Sequence, residues 1–479
     1  MAVLIIAILN SAMNFVALAM AGTIAMTGLP AAAAATSYRP VIVWGQCEVT
    51  QPPFKPGAEC GTLEVPVDWD RPDGEKTKLA VSRVKATGNR LGVLVWGPGG
   101  PGLRGTNAGI STFFNEDVSA AYDVVGYDPR GLNPGQVRCT EPDIKAVQLP
   151  TTEQEFQQRV EYNRQVSESC RAQTGALFDH LDSISDARDM EALRIALGEQ
   201  VLNYDGGSYG TMRGQLYPQL FPDRVGRWVN DSNMDHSLRT GAQFITDVTL
   251  AVEQNLKDWS AWYRKTNGGN GDVLIHRARA KVALAKDPRL MESLLSDLTI
   301  LSSNPSQWPD LTTVLDARAY GGDLGQPADP VRFNPVAQAI YCSDWNVSLG
   351  GWSGFQKLRR ELGQKAPRIQ IGWQTFNSSL SVLGCQGWTG KVGNPRRDLA
   401  KLDRPGVSVN IRHDVRTPYT WGETAAKQSG AFHLADEGYG HIAHTPSSPG
   451  DPKSCISEQL DTYLLTGRLP TRSSCPAME

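Results

Sequence analysis

The segment Gly206-Gly207-Ser208-Tyr209-Gly210 constrains this chain more than any other. It fits the G-x-S-x-G pattern, in which a serine sits on a sharp turn between a strand and a helix. Val201-Leu202-Asn203-Tyr204 before it reads as a short strand, and Met212 to Phe221 after it carries apolar residues at roughly helical spacing. A serine hydroxyl is a poor nucleophile until it is held rigidly beside a base. A tight strand-to-helix turn does that holding, and flanking glycines remove the Cβ atoms that clash there.

Other segments place this turn in a sheet. Residues 60–69 and 78–84 alternate like an antiparallel pair at a sheet edge. Residues 91–96 form a continuous apolar run, expected of a strand buried on both faces, and end in Gly97-Pro98-Gly99-Gly100-Pro101-Gly102. Further strands are predicted over 122–128 and 225–231, and a helix over 183–198. Strands alternating with helices predict an α/β fold with a mostly parallel sheet flanked by helices.

The pattern changes near Ser237. Residues 242–264, 276–286 and 288–301 read as amphipathic helices, followed by a loop-rich segment holding Trp308, Trp345, Trp352, Trp373 and Trp388. Strand-like runs return at 406–411 and 431–435. The expected organisation is an α/β core over 37–237 and 393–479, interrupted by a mainly helical cap over 238–392.

Residues 1–36 are expected to be separate. No charged side chain occurs before Ser37, residues 5–21 are largely apolar, and Ala31 to Ala35 offers small residues of the A-x-A type. This reads as a secretory signal peptide, or an anchor at the outer face of the membrane if uncleaved. Its only positive end is the α-amine. Eight cysteines without a C-x-x-C fit an exported, disulfide-bonded chain better than a zinc site. Eight cysteines admit on the order of a hundred pairings. Local loops close most easily, which favours Cys47–Cys60, Cys139–Cys170, Cys342–Cys385 and Cys455–Cys475. The net charge of −3 and the absence of basic runs exclude a nucleic-acid partner.

A nucleophile needs a base, an orienting acid and an oxyanion site. In α/β-hydrolase sheets the chain order is serine, acid, histidine. His441 follows the last strand-like run in Gly438-Tyr439-Gly440-His441, where a glycine-bearing loop can bring the imidazole to the serine. His444 is the near alternative, and His433 points within a strand. A lone histidine is more often structural; here its place behind a strand end carries the argument. Asp414 leaves the strand at 406–411 and is the candidate acid, with Asp231 and Asp235 as rivals and Asp436 too near His441. The oxyanion donors are expected from the backbone N–H of Tyr209 and of Gly99 or Gly100. No G-K-[ST] follows that glycine loop, so it is not a phosphate loop. The chemistry needs neither cofactor nor metal.

Several of these segments together resemble one family. They are Gly99-Gly100-Pro101-Gly102, Asp123 to Gly131, Gly206 to Thr211, Phe221-Pro222-Asp223-Arg224-Val225, Asp414-Val415-Arg416-Thr417-Pro418 and Gly440-His441, with Ala339 to Asp344 in the cap and Cys455…Leu464…Gly467…Leu469-Pro470…Cys475 at the end. Over residues 40–479 the chain resembles the secreted tripeptidyl aminopeptidases of actinomycetes, relatives of the proline iminopeptidases in the α/β-hydrolase fold. The resemblance implies a serine exopeptidase releasing short peptides from free N-termini, with some members acting as esterases and with Ser208, Asp414 and His441 on its catalytic positions; a monomer is expected. Val415, Ile442 and Ile411 depart from the family's usual Pro, Gly and Gly, which touches loop shape and substrate range rather than the reacting groups. Recognition of a protonated amine calls for a carboxylate in the cap; Asp344 is the candidate, against the plain reading of a solvated aspartate. The rival functions are a carboxylesterase or lipase with the same triad, and a non-catalytic binding protein on a hydrolase scaffold. A dehalogenase or epoxide hydrolase of this fold wants Asp where Ser208 stands.

Overall fold

A computed structural model describes residues 37–47, 57–109, 113–328, 334–345, 347–372, 381–447 and 451–477. The segment read as a signal peptide lies outside these residues, as does Trp373. Among the described residues ten strands form one sheet: β1 Ile42–Gln46, β2 Glu59–Pro66, β3 Lys76–Val84, β4 Gly92–Gly97, β5 Tyr122–Tyr127, β6 Leu202–Gly207, β7 Val225–Asp231, β8 Val407–His413, β9 Phe432–Tyr439 and β10 Ser474–Cys475. Their order is β1-β2-β3-β5-β4-β6-β7-β8-β9-β10. β1, β2 and β3 pair antiparallel, as do β3 and β5; every pairing from β5 through β10 is parallel. The fold is that of the α/β hydrolases, with the antiparallel edge and parallel centre that the alternation predicts.

Strand residues sort to two faces because side chains alternate. Val93 and Val95 of β4 pack on one face with Met190 and Leu193 of α3 (Ser183–Ala196) and Leu216 of α4 (Gly210–Leu220). Leu94 packs on the other with Val118 of α1 (Glu116–Ala121) and Leu460 and Leu464 of α12 (Cys455–Thr466). β4 is therefore buried on both faces, which is why its sequence is a continuous apolar run.

Between β7 and β8 the chain makes a long helical excursion. It contains α5 Gly241–Asn267, α6 Gly271–Leu284, α7 Pro288–Ser302, α8 Trp308–Asp316, α9 Pro335–Trp345 and α10 Gly351–Lys365. The segment expected to be loop-rich thus holds three helices. The reason is visible in α9: its residues from Ala337 to Trp345 are all buried, so it shows no amphipathic stripe to reveal it. α2 (Glu153–Thr174), before β6 in sequence, joins this layer as well. Asn163 donates to the carbonyls of Leu383 and Gln386 at 3.0 and 2.9 Å, and Phe156 packs against Trp352 and Phe355.

The cysteines pair as Cys47–Cys60, Cys139–Cys170, Cys342–Cys385 and Cys455–Cys475. The first ties β2 to the segment after β1, and the last ties α12 to β10. Among the described residues, no helix is long and apolar enough to cross a membrane.

Candidate active site

Ser208 directly follows β6 with φ at +56°, the left-handed region that residues with a Cβ rarely enter. The turn is held from several sides. Ser208 N–H donates to Asp231 O at 2.8 Å, while Ser208 O accepts from the N–H and Oγ1 of Thr211 at 3.0 and 2.6 Å. The loop after β4 lies against it: a Cβ on Gly99 would stand 2.9 Å from Ser208 Cβ and 3.4 Å from its Oγ. Glycine is needed at 99 because the backbone approaches the hydroxyl this closely.

Asp414 follows β8 and is buried. Its Oδ1 accepts from the N–H groups of Arg416 and Thr417 at 2.7 and 3.1 Å. Its Oδ2 accepts from Thr417 Oγ1 and pairs with His441 Nδ1, both at 2.8 Å. Burial alone raises a carboxylate pKa; here His441 and the two N–H donors outweigh burial and hold Asp414 below the usual range. An aspartate fixed this way favours the tautomer of its histidine that carries the proton on Nδ1, which leaves Nε2 as the basic nitrogen.

His441 follows β9 through Gly440, whose φ is +126°. The next three residues are clamped from below. Ile442 N–H donates to Ser232 Oγ at 2.9 Å, and the N–H groups of Ala443 and His444 donate to Asp231 Oδ2 at 2.9 and 2.8 Å. Asp231 therefore holds the loop that carries His441 rather than the imidazole itself. Burial raises its pKa to about 6, against the pull of those N–H donors. Asp235 is turned to Ser237, and Asp436 to the N–H of Gly438. His444 is enclosed between Asp205 Oδ2 at 2.7 Å and Asp461 Oδ1 at 3.0 Å. Burial disfavours its charged form, but the two carboxylates outweigh burial and raise its pKa to about 10. His433 lies in β9, and burial lowers its pKa to about 4. None of the rivals shares the opening of His441.

Ser208 and His441 line one cavity of about 660 Å³ with Gly99, Gly100 and Tyr209. The sheet contributes Trp96 and Gly207 to its wall and the loop after β7 contributes Met234; the helical layer contributes Phe244, Ile300, Gln307 and Tyr341. Besides His441, Arg416 is the one ionisable acid or base of the Asp, Glu, Lys and Arg types on this lining among the described residues. Its side chain is exposed, and among the described residues no carboxylate lines the cavity.

Asp344 is not at the cavity. It is buried, accepting from Ser183 N–H at 3.1 Å, Ser183 Oγ at 2.5 Å and Tyr209 Oη at 2.6 Å. The expectation that it meets a substrate amine is thus corrected: three hydrogen bonds within the fold occupy the carboxylate. Burial, then Asp344, pushes the Tyr209 phenol well above its ordinary pKa, so it stays a donor. The support that Asp231 gives to the histidine loop was not foreseen either. Its place at the end of the strand after the serine was the available signal.

Along most of its length the chain is similar to known hydrolases. Residues 372–475 match the family described as "TAP-like protein". The chain is 30% identical to the tripeptidyl aminopeptidase of Streptomyces lividans, over 92% of this chain and 88% of that protein. It is 29% identical to serine protease Hip1 of Mycobacterium tuberculosis, over 96% and 95% of the two chains, and 27% identical to carboxylesterase B of the same species, over 87% and 86%. With identity at that level across nearly the whole length, the chain belongs to the tripeptidyl aminopeptidase family of α/β-hydrolase serine peptidases.

Proposed function

We propose that this protein is a serine aminopeptidase releasing short peptides, tripeptides foremost, from free N-termini through an acyl-enzyme on Ser208. The observation that carries the reading is the 2.8 Å pairing of Asp414 with His441 on the cavity that Ser208 lines. His441 Nε2 takes the Ser208 proton as Oγ bonds to the scissile carbonyl carbon. The oxyanion is received by the N–H of Tyr209 and that of Gly99 or Gly100. Collapse breaks the C–N bond, and His441 passes its proton to the leaving amine. Water, deprotonated by His441, then releases the peptide and restores Ser208. Asp414 holds the imidazole and stabilises its charged form. The helices between β7 and β8 act as a cap that closes the cavity. The four disulfides support an exported protein, with residues 1–36 as its leader.

One observation favours a second reading, a carboxylesterase with the same triad. No carboxylate lines the cavity among the described residues, so a protonated substrate amine meets no counter-ion there. The test assays the protein and Ser208→Ala on free and N-acetylated tripeptide amides and on short-chain p-nitrophenyl esters. Cleavage of only the free-amine peptide supports the aminopeptidase. Ester hydrolysis alone, or equal cleavage of the blocked peptide, selects the esterase or an endopeptidase. Undiminished turnover by Ser208→Ala removes the mechanism altogether.

A further inference from the structure

A second cavity, of about 670 Å³, opens in the helical layer and shares no lining residue with the one at Ser208. α7 lines both: Met291 and Leu295 belong to this cavity, and Thr299 and Ile300, farther along the helix, to the other. Its volume is ordinary for a small-molecule site.

The charges on this lining are unbalanced. Arg279, Lys286, Arg359 and Arg360 oppose Glu155 and Asp287. Both acids are already engaged. Glu155 Oε2 accepts from Thr151 N–H, Thr151 Oγ1 and Thr152 N–H at 2.7, 2.8 and 3.1 Å, closing the cap of α2. Asp287 pairs with Arg289, which is turned away from the cavity lining. None of the four cations forms an ion pair among the described residues. Arg279 Nη1 donates to Arg368 O at 2.7 Å, and Arg359 Nη1 to Pro150 O at 2.9 Å. Burial lowers the pKa of both guanidinium groups, that of Arg279 to about 10, and outweighs the opposing pull of Glu253 on Arg279 and of Glu155 on Arg359. Lys286 and Arg360 stand exposed at the rim.

The lining also carries the apolar Val282, Met291, Trp352, Ile369 and Ile371, beside the uncharged polar Thr151, Gln356 and Gln370. Two lining residues, Lys286 and Gln370, also hold the left-handed backbone conformation, with φ at +57° and +62°. Such outliers persist only where the surroundings impose them, and they gather at ligand sites.

We propose that this cavity binds an organic anion, with its carboxylate or phosphate head held by Arg279 and Arg359, Lys286 and Arg360 at the rim, and its apolar body against Trp352 and Ile371. The planar guanidinium fork suits either head group, and neither arginine is closed into an ion pair among the described residues, where Glu155 is spent on the cap of α2.

The test is calorimetric titration of the full chain carrying Ser208→Ala with decanoate, decyl phosphate and decanol. One saturable equivalent of decanoate or decyl phosphate is expected, and the better of the two identifies the head group. Decanol should bind at least tenfold more weakly. Lys286→Glu with Arg360→Glu should weaken the anion at least tenfold while leaving the melting temperature near that of the parent. If the double variant folds poorly, Arg360→Glu alone reads the same ratio on an exposed helix position. Arg416→Ala, in the other cavity, should change nothing. Absence of saturable binding by both anions, equal binding of decanol, an unchanged affinity in a charge-reversed variant that melts like the parent, or loss of binding in Arg416→Ala would each overturn the assignment.

Discussion

Tyr209 donates its phenol to Asp344 at 2.6 Å, so the residue that follows Ser208 is anchored in the helical layer by a buried carboxylate. The same carboxylate caps the start of α3 through Ser183. The backbone N–H proposed as an oxyanion donor is thereby tied to an element far from the sheet in sequence.

Asp344→Ala should destabilise the protein by about 3 kcal/mol, because it leaves the buried Tyr209 hydroxyl and Ser183 donors without an acceptor. Urea unfolding measures the loss. The ratio of activity on free over N-acetylated substrates should stay unchanged. A selective rise in KM for the free-amine substrate would return Asp344 to the role of amine ligand.

Asp414→Asn should retain the fold and lose about 10³- to 10⁴-fold in kcat, since the amide stabilises the wrong histidine tautomer and no imidazolium. Steady-state kinetics check this, with KM expected to move little. A loss below tenfold would mean that another acid serves His441.

His444 gives a pH dependence of defined sign. Its folded pKa, about 10, stands above the unfolded value near 6.5. Its contribution to stability is therefore complete below about pH 6.5 and is lost as pH rises toward about 10. The groups facing it are Asp205 and Asp461, with Lys453 and Asn115 on the far side of Asp461. His444→Asn should be less stable than the parent at pH 6.5, and the difference should shrink by pH 10. Denaturant midpoints across that range measure it; a difference that grows with pH contradicts the buried imidazolium.

Cys342–Cys385 joins α9 to the turn at Val382–Cys385 across 43 residues. Closing a loop of that length limits the unfolded chain by about 4 kcal/mol in a chain-entropy account. Replacing both cysteines by serine should lower the unfolding midpoint accordingly. Because α9 also carries Tyr341 on the cavity wall, KM should rise more than kcat falls.

The strand-turn-helix around Ser208 was legible because glycine spacing and apolar runs are local properties of the chain. So were the strand ends that carry Asp414 and His441, and the antiparallel edge of the sheet. α9 was not legible, since a helix buried on every side has no periodic contrast. The place of α2 against residues 383–389 was hidden too, because hydrogen bonds such as Asn163 to Leu383 join positions 220 residues apart.

By itself, then, the order of residues determined the α/β core, the reactive turn and the family, all of which rest on short-range pattern. Only the tertiary structure decided what each carboxylate meets. Asp414 reaches His441, Asp231 holds the backbone beneath it, and Asp344 closes on Tyr209. The strand-end position of Asp414 already pointed to His441, whereas the partners of Asp231 and Asp344 were set by burial and by the donors that folding brought within about 3 Å, which no local pattern encodes.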